Sequence, residues 1–175
     1  MRPKSHFTVL GMILLALICG AEAQQTWKAG EFQGLLTGKA TRKDVLRLLG
    51  ATEASKNARI EIYSYPNDGG KVVVEVNRQS GLVETIAQQY SPNITRTEAS
   101  KRFGKDYREV RYSISPCPQT GAIPSVYRDP KGGIELLEYS GKGLVLWPNQ
   151  YGFDIAAAVY RASPLPAKKQ VCGKR

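Results

Sequence analysis

Ala40-Thr41-Arg42-Lys43-Asp44-Val45-Leu46-Arg47-Leu48-Leu49-Gly50 and, further along the chain, Ile94-Thr95-Arg96-Thr97-Glu98-Ala99-Ser100-Lys101-Arg102-Phe103-Gly104 carry the same physical signals in the same order. In each, a threonine stands ahead of the run as N-cap. An acidic residue three places on, Asp44 or Glu98, is placed to reach back to the cap's own N–H, and a glycine, Gly50 or Gly104, marks the stop. Val45, Leu48 and Leu49 fall on one face of the first helix, Arg42 to Leu49. The second, Thr95 to Phe103, has only Ala99 and Phe103 as an apolar stripe and rests on its cap and on the repeat.

Strand signals follow each helix. Arg59 to Tyr65 alternates Ile60 and Ile62 against Glu61, Tyr63 and Tyr65, and Lys71 to Val76 is a valine-rich run. Asn67-Asp68-Gly69-Gly70 turns the chain between them, and Asn77 to Gly81 does so again before Leu82 to Tyr90. In the second half, strands are expected at Glu109 to Ile114, Ile134 to Tyr139, Gly143 to Trp147 and Asp154 to Arg161. Connections this short force neighbouring strands antiparallel. Glu31 to Leu36 is read as a short helical segment interrupted by Gly34. The expected fold class is therefore α+β: two tandem units, each a short helix or helix pair packed on an antiparallel β-meander.

Before these units stands a leader. Arg2 and Lys4 open the chain, an apolar run extends from Phe7 to Cys19, and Ala21-Glu22-Ala23 puts small residues where a signal peptidase cuts. The run would rise only about 20 Å as a helix, short of a hydrocarbon core of roughly 30 Å, so cleavage after Ala23 is favoured over a permanent span. Lipidation at Cys19 is the competing reading. The expected organisation is 1–23 signal peptide, 24–91 first unit, 92–162 second unit and 163–175 basic tail, in a protein exported to the periplasm or beyond the cell.

Cleavage removes His6, the only histidine, and leaves Cys117 and Cys172. Two cysteines in an exported chain suggest a disulfide, and closing a loop of about 50 residues would be worth on the order of 4 kcal/mol in the chain-entropy account. Unpaired thiols are the alternative. Their spacing fits neither a redox C-x-x-C pair nor a zinc site, so no metal is expected.

Gly38-Lys39-Ala40-Thr41-Arg42-Lys43-Asp44-Val45, then Leu49-Gly50, Tyr63-Ser64-Tyr65 and Gly81-Leu82-Val83, resemble in order the motifs of the SmpA/OmlA (BamE-like) domains. The match covers Leu35 to about Tyr90 and, more weakly, Ile94 to about Arg161. The tandem arrangement is similar to that of the β-lactamase inhibitory proteins. The resemblance implies small extracytoplasmic modules that pack helices against an antiparallel sheet and act by binding other proteins; it assigns no functional residue here.

Catalytic readings find little support. Gly34-Leu35-Leu36-Thr37-Gly38-Lys39-Ala40 is one residue short of a phosphate loop and lacks its hydroxyl. Without a histidine, serine and threonine lack their usual activating base, and Ser55-Lys56 and Ser100-Lys101 are neighbours that point apart. Glu135 and Glu138 sit at an odd spacing on one strand, on opposite faces, which denies them the facing-pair geometry of a carboxylate-dependent hydrolase. No cofactor is expected.

Binding readings fare better. Arg42 and Arg96 each occupy the first helical position, where the helix dipole disfavours a cation, so each either packs its stem over the sheet or marks an anion at the helix start. Tyr63, Tyr65, Trp147 and Tyr151 form a candidate interaction surface, or else fill the core. The whole chain carries a net charge of +10, and loss of Arg2, Lys4 and Glu22 lowers it by one. That favours anionic lipid or wall polymer, whereas the basic residues are too dispersed for a nucleic-acid footprint. Asn93-Ile94-Thr95 matches the N-glycosylation sequon, with Thr95 already the helix cap.

The sequence thus supports an exported, non-enzymatic interaction or cell-envelope module, with another envelope or secreted protein as partner. A proteinaceous inhibitor of an extracellular enzyme is the alternative.

Overall fold

Asn77, Leu82 and Gly81 close one tight turn of the sheet, and similar local devices punctuate the chain throughout. In a computed structural model, residues 26–50, 52–117 and 121–169 are described, with backbone only for 52–54. The leader, Cys19 and Cys172 lie outside the described residues.

The order is β1 (Glu31–Phe32), β2 (Leu35–Leu36), α1 (Arg42–Leu49), β3 (Thr52–Lys56), β4 (Ile60–Asn67), β5 (Gly70–Asn77) and β6 (Val83–Thr95). There follow α2 (Arg96–Phe103), β7 (Arg108–Ile114), β8 (Val126–Arg128), β9 (Ile134–Tyr139), β10 (Leu144–Pro148) and β11 (Asp154–Arg161). Nine strands form one antiparallel sheet in the order β3-β4-β5-β6-β11-β10-β9-β7-β8.

The expected α+β class is corrected by this arrangement. Among the described residues the protein is predominantly β, with 48% in strands and 14% helical. Two helix-packed units do not describe it, because the sheet runs without a break through both halves. The reason is β6: at 13 residues it is long enough to pair with β5 through Tyr90↔Gly70 and with β11 from Thr85↔Arg161 to Thr95↔Asp154. Each helix has eight residues and only one fully buried side chain, Val45 in α1 and Ala99 in α2. Leu48, expected on the inner face of α1, is 43% exposed, leaving Val45 and Leu49 to pack.

A second correction falls on Glu31 to Leu36. Gln33 and Gly34 both take positive φ, 47° and 80°, which is the backbone of a tight two-residue hairpin turn and incompatible with a helix. The segment is the β1–β2 hairpin, with Phe32 and Leu35 turned into the core. Strand β3 and the three-residue β8 add edges that the pattern did not signal.

Alternation divides the sheet into two faces. The helix-bearing face holds Tyr63, Val72, Val74, Val76 and Ile86 under α1 and the β1–β2 hairpin. It continues through Tyr90, Ala158, Leu144, Leu146, Leu137 and Tyr139, which meet Ala99, Phe103 and Tyr107. The opposite face has its own core of Val110, Tyr112, Val126, Leu136 and Val145, covered by Trp27 from the N-terminal side and Leu165 from beyond β11. The described part of the expected basic tail is therefore partly tethered: Leu165 is 5% exposed, and Arg128 donates its backbone N–H to the Pro166 carbonyl at 2.7 Å.

Candidate functional site

Both helix starts are built by local chemistry. Thr41 Oγ1 accepts the Asp44 N–H, and Asp44 accepts the Thr41 N–H at 2.9 Å; Thr95 and Glu98 form the same reciprocal box. Gly50 closes α1 in the left-handed conformation, and Gly104 closes α2 with φ 87°. These six residues shape helix ends. The Asp44 carboxyl is pulled down to about 2, first by the Thr41 backbone N–H, then by the Thr41 hydroxyl and Arg47.

The N1 arginines both turn to carboxylates of the sheet. Arg42 donates to Glu61 through Nε at 2.6 Å and through its terminal nitrogen at 2.7 Å. Tyr63 donates its hydroxyl to the same carboxylate at 3.0 Å, and Arg78 stands 3.9 Å away. Burial works to raise the Glu61 carboxyl, but Arg42, Tyr63 and Arg78 together hold it below its ordinary value. Arg96 reaches Glu109 and Glu135, each at 3.4 Å, and donates to the Gly152 carbonyl. The anion at each helix start is thus supplied by the chain itself.

A third cluster went unseen in the sequence. Glu138, fully buried on the opposite face, accepts from Arg108 at 2.9 Å, from Arg128 at 3.1 Å and from the Tyr112 hydroxyl. Register puts Arg108 directly beside Glu138 and Arg128 directly beside Tyr112. Burial and the neighbouring Arg108 lower the Arg128 guanidinium below its ordinary value. Glu135 faces the helices and Glu138 faces away, so the two acids do not share a cleft.

The four aromatics of the candidate interaction surface do not share a face. Tyr63 is core, at 3% exposure, and Tyr65 is half-buried on the same helix-bearing side, donating to the Gln33 side chain at 3.0 Å. Trp147 lies on the opposite face, and Tyr151 projects from the β10–β11 turn at 70% exposure. Phe153, which the sequence reading passed over, projects beside it at 76%. Asn149 organises that tip: its side chain accepts the N–H groups of Tyr151 and Phe153 at 3.0 and 3.3 Å.

Trp147 borders a half-open slot of about 340 Å³ on the helix-free face. Its floor is the seam between β6 and β11, where Ala87 pairs with Val159 and Gln89 with Ala157. One wall is Trp147 and Pro148; the other is Ala122 to Pro124, from the connection between β7 and β8. Glu75 secures that wall by accepting the N–H groups of Ala122 at 2.8 Å and Ile123 at 3.3 Å. Gly121 packs so tightly there that a Cβ would lie 2.3 Å from the Glu75 carboxylate.

Cys117, in the same connection, is disulfide-bonded; its expected partner Cys172 lies outside the described residues. Among the described residues no cluster of three metal-ligating side chains occurs, and no helix is long and apolar enough to cross a membrane. Compared with known proteins, the chain matches no family model, no curated protein and no solved structure.

Proposed function

We propose that this protein is an exported, non-enzymatic interaction module of the cell envelope, meeting its partner through the β10–β11 hairpin and the adjoining helix-free face. The observation that carries this reading is the hairpin tip. Tyr151 and Phe153 are large aromatics held outward on an ordered turn at 70% and 76% exposure, a cost in hydration that a monomer has no internal reason to bear. The same hairpin brings Trp147 to the edge of the slot, so apolar surface continues from the tip onto the face.

Two further features support the setting. A disulfide at Cys117 agrees with an oxidising compartment, as does the leader read in residues 1–23. The charge supports a secondary contact with anionic lipid or wall polymer: Arg42, Arg96, Arg108 and Arg128 are engaged with carboxylates, while Lys39, Lys43, Lys71, Lys101, Lys105 and Lys131 stand exposed.

The test is capture from the envelope fraction of the producing cells with the leaderless protein, at low and high salt, beside a Tyr151→Ser/Phe153→Ser variant. A partner retained at high salt by the unaltered protein and lost by the variant supports the reading. Equal capture by both places the contact elsewhere. A stoichiometric complex formed only with a soluble secreted enzyme, and abolishing its activity, would favour the inhibitor reading instead.

A further inference from the structure

The slot beside Trp147 has a chemical polarity of its own, separate from the hairpin tip. Its floor and walls are methyl groups, prolines and one indole: Ala87, Ala157 and Val159 below, Ile123 and Pro124 on one side, Trp147 on the other. Among the described lining residues, Gln89 is the only one with a polar side chain apart from the indole N–H of Trp147. Register places Lys71 of β5 directly opposite Gln89 of β6, so the exposed Lys71 is on the same face as Gln89, one strand beyond the residues that line the slot. The row across the sheet reads Lys71, Gln89, Ala157, Trp147: cation, amide, methyl, indole.

Among the described residues no carboxylate lines the slot. Glu75, on the same face, is committed to the backbone of Ala122 and Ile123 and faces Arg161. An occupant therefore meets apolar surface along its body, with the Lys71 cation on the same face beyond the Gln89 end. At about 340 Å³ the space is at the low end of ligand pockets and suits one ring system or one short acyl chain.

We propose that this slot binds a small, freely diffusing amphiphilic carboxylate, its apolar body lying over Ala157 against Trp147 and its carboxylate at Gln89 and Lys71. The inference goes beyond partner docking: ligand binding here requires no second protein, and its failure would leave capture at the hairpin tip untouched.

The probe is decanoate, kept below its micelle-forming concentration, with decanol as the headless control. Calorimetry on the unaltered protein and Trp147 fluorescence in a Trp27→Phe background report binding, Trp27 being the only other tryptophan. The expected result is saturable decanoate binding at least about fivefold tighter than decanol. Lys71→Gln, an exposed substitution, should bring decanoate to the level of decanol while leaving decanol unchanged, and Ala157→Leu, filling the floor, should abolish both. Equal affinity for decanoate and decanol in the unaltered protein, decanoate binding unmoved by Lys71→Gln, or binding that survives Ala157→Leu would each overturn the proposal.

Discussion

Arg42, the first residue of α1, closes a two-pronged ion pair on Glu61 of β4, and that contact ties the helix start to the sheet. A guanidinium at a helix N-terminus opposes the helix dipole, so the geometry is tolerated because the carboxylate lies directly across from it. Arg42→Ala should leave the Glu61 charge with only Tyr63 and the more distant Arg78, and it should lower the melting temperature. Arg42→Lys should rescue only in part, since an ammonium cannot make the paired bonds of a fork. Thermal unfolding of the three proteins checks this; equal melting temperatures would show the pair to be ornamental.

Glu138 presents the buried counterpart. It is fully enclosed and holds two arginines and a tyrosine, so Glu138→Gln would leave two guanidiniums facing a neutral amide on the helix-free face. Breaking a buried pair by removing one partner typically costs about 3–5 kcal/mol, and a loss near the lower figure is expected because Arg108 retains solvent access. Denaturant titration measures it. Arg108→Gln should cost distinctly less than Glu138→Gln.

How much of this was legible depends on how local the determinant is. Thr41, Asp44 and Gly50, and their counterparts Thr95, Glu98 and Gly104, act within one turn of chain, and the sequence pattern names them. The hairpin at Gln33-Gly34 is equally local but not legible, because a short apolar stretch around a glycine suits helix and turn alike until φ is known. The joining of β6 to β11 is nonlocal: nothing in Val83 to Thr95 says which distant strand it will meet. The slot is less legible still, since its walls come from β6, the β7–β8 connection, β10 and β11. Glu138 reads as one more strand acid until register puts Arg108 beside it, with Arg128 and Tyr112 paired on the next strands.

The capping box of α1 should be visible in the pH dependence of stability. Asp44 has its carboxyl lowered to about 2 from an ordinary 3.8, chiefly by the Thr41 N–H. A lowered folded value means the contribution is present above the unfolded value and disappears as pH falls. Stability should therefore drop between about pH 4 and pH 2, and Asp44→Asn should flatten that part of the curve in urea titrations. Thr41→Ala should cost about 1 kcal/mol at neutral pH.

Glu75 has the opposite sign. Burial raises its carboxyl above the ordinary 4.5, against the smaller pull of the Ala122 and Ile123 N–H groups and of Arg161. A raised folded value means that the protonated form is the favoured one and that stability declines as pH climbs through the folded value. Glu75→Gln keeps an acceptor for both N–H groups and removes the charge. The variant should match the unaltered protein below pH 4.5 and exceed it at pH 7, as read by denaturant midpoints; a variant weaker at pH 7 would mean that the Arg161 contact outweighs burial.

The N-terminal segment should prove separable from the sheet. Lys28 donates to the Ser140 carbonyl at 2.9 Å and Gly30 to the Arg161 carbonyl at 3.0 Å, while Gly143 passes beneath with φ 58°. A Cβ on Gly143 would stand 2.2 Å from both the Gly30 nitrogen and the Lys28 oxygen, so Gly143→Ala must push that segment away and strain its own backbone. Trp27, whose indole N–H reaches the Arg161 carbonyl and whose ring covers the helix-free core, would then become accessible. Acrylamide quenching of Trp27 in a Trp147→Phe background should rise in the Gly143→Ala variant under conditions where the circular dichroism of the sheet is unchanged. Unchanged quenching would show that the segment is held by contacts other than this crossing.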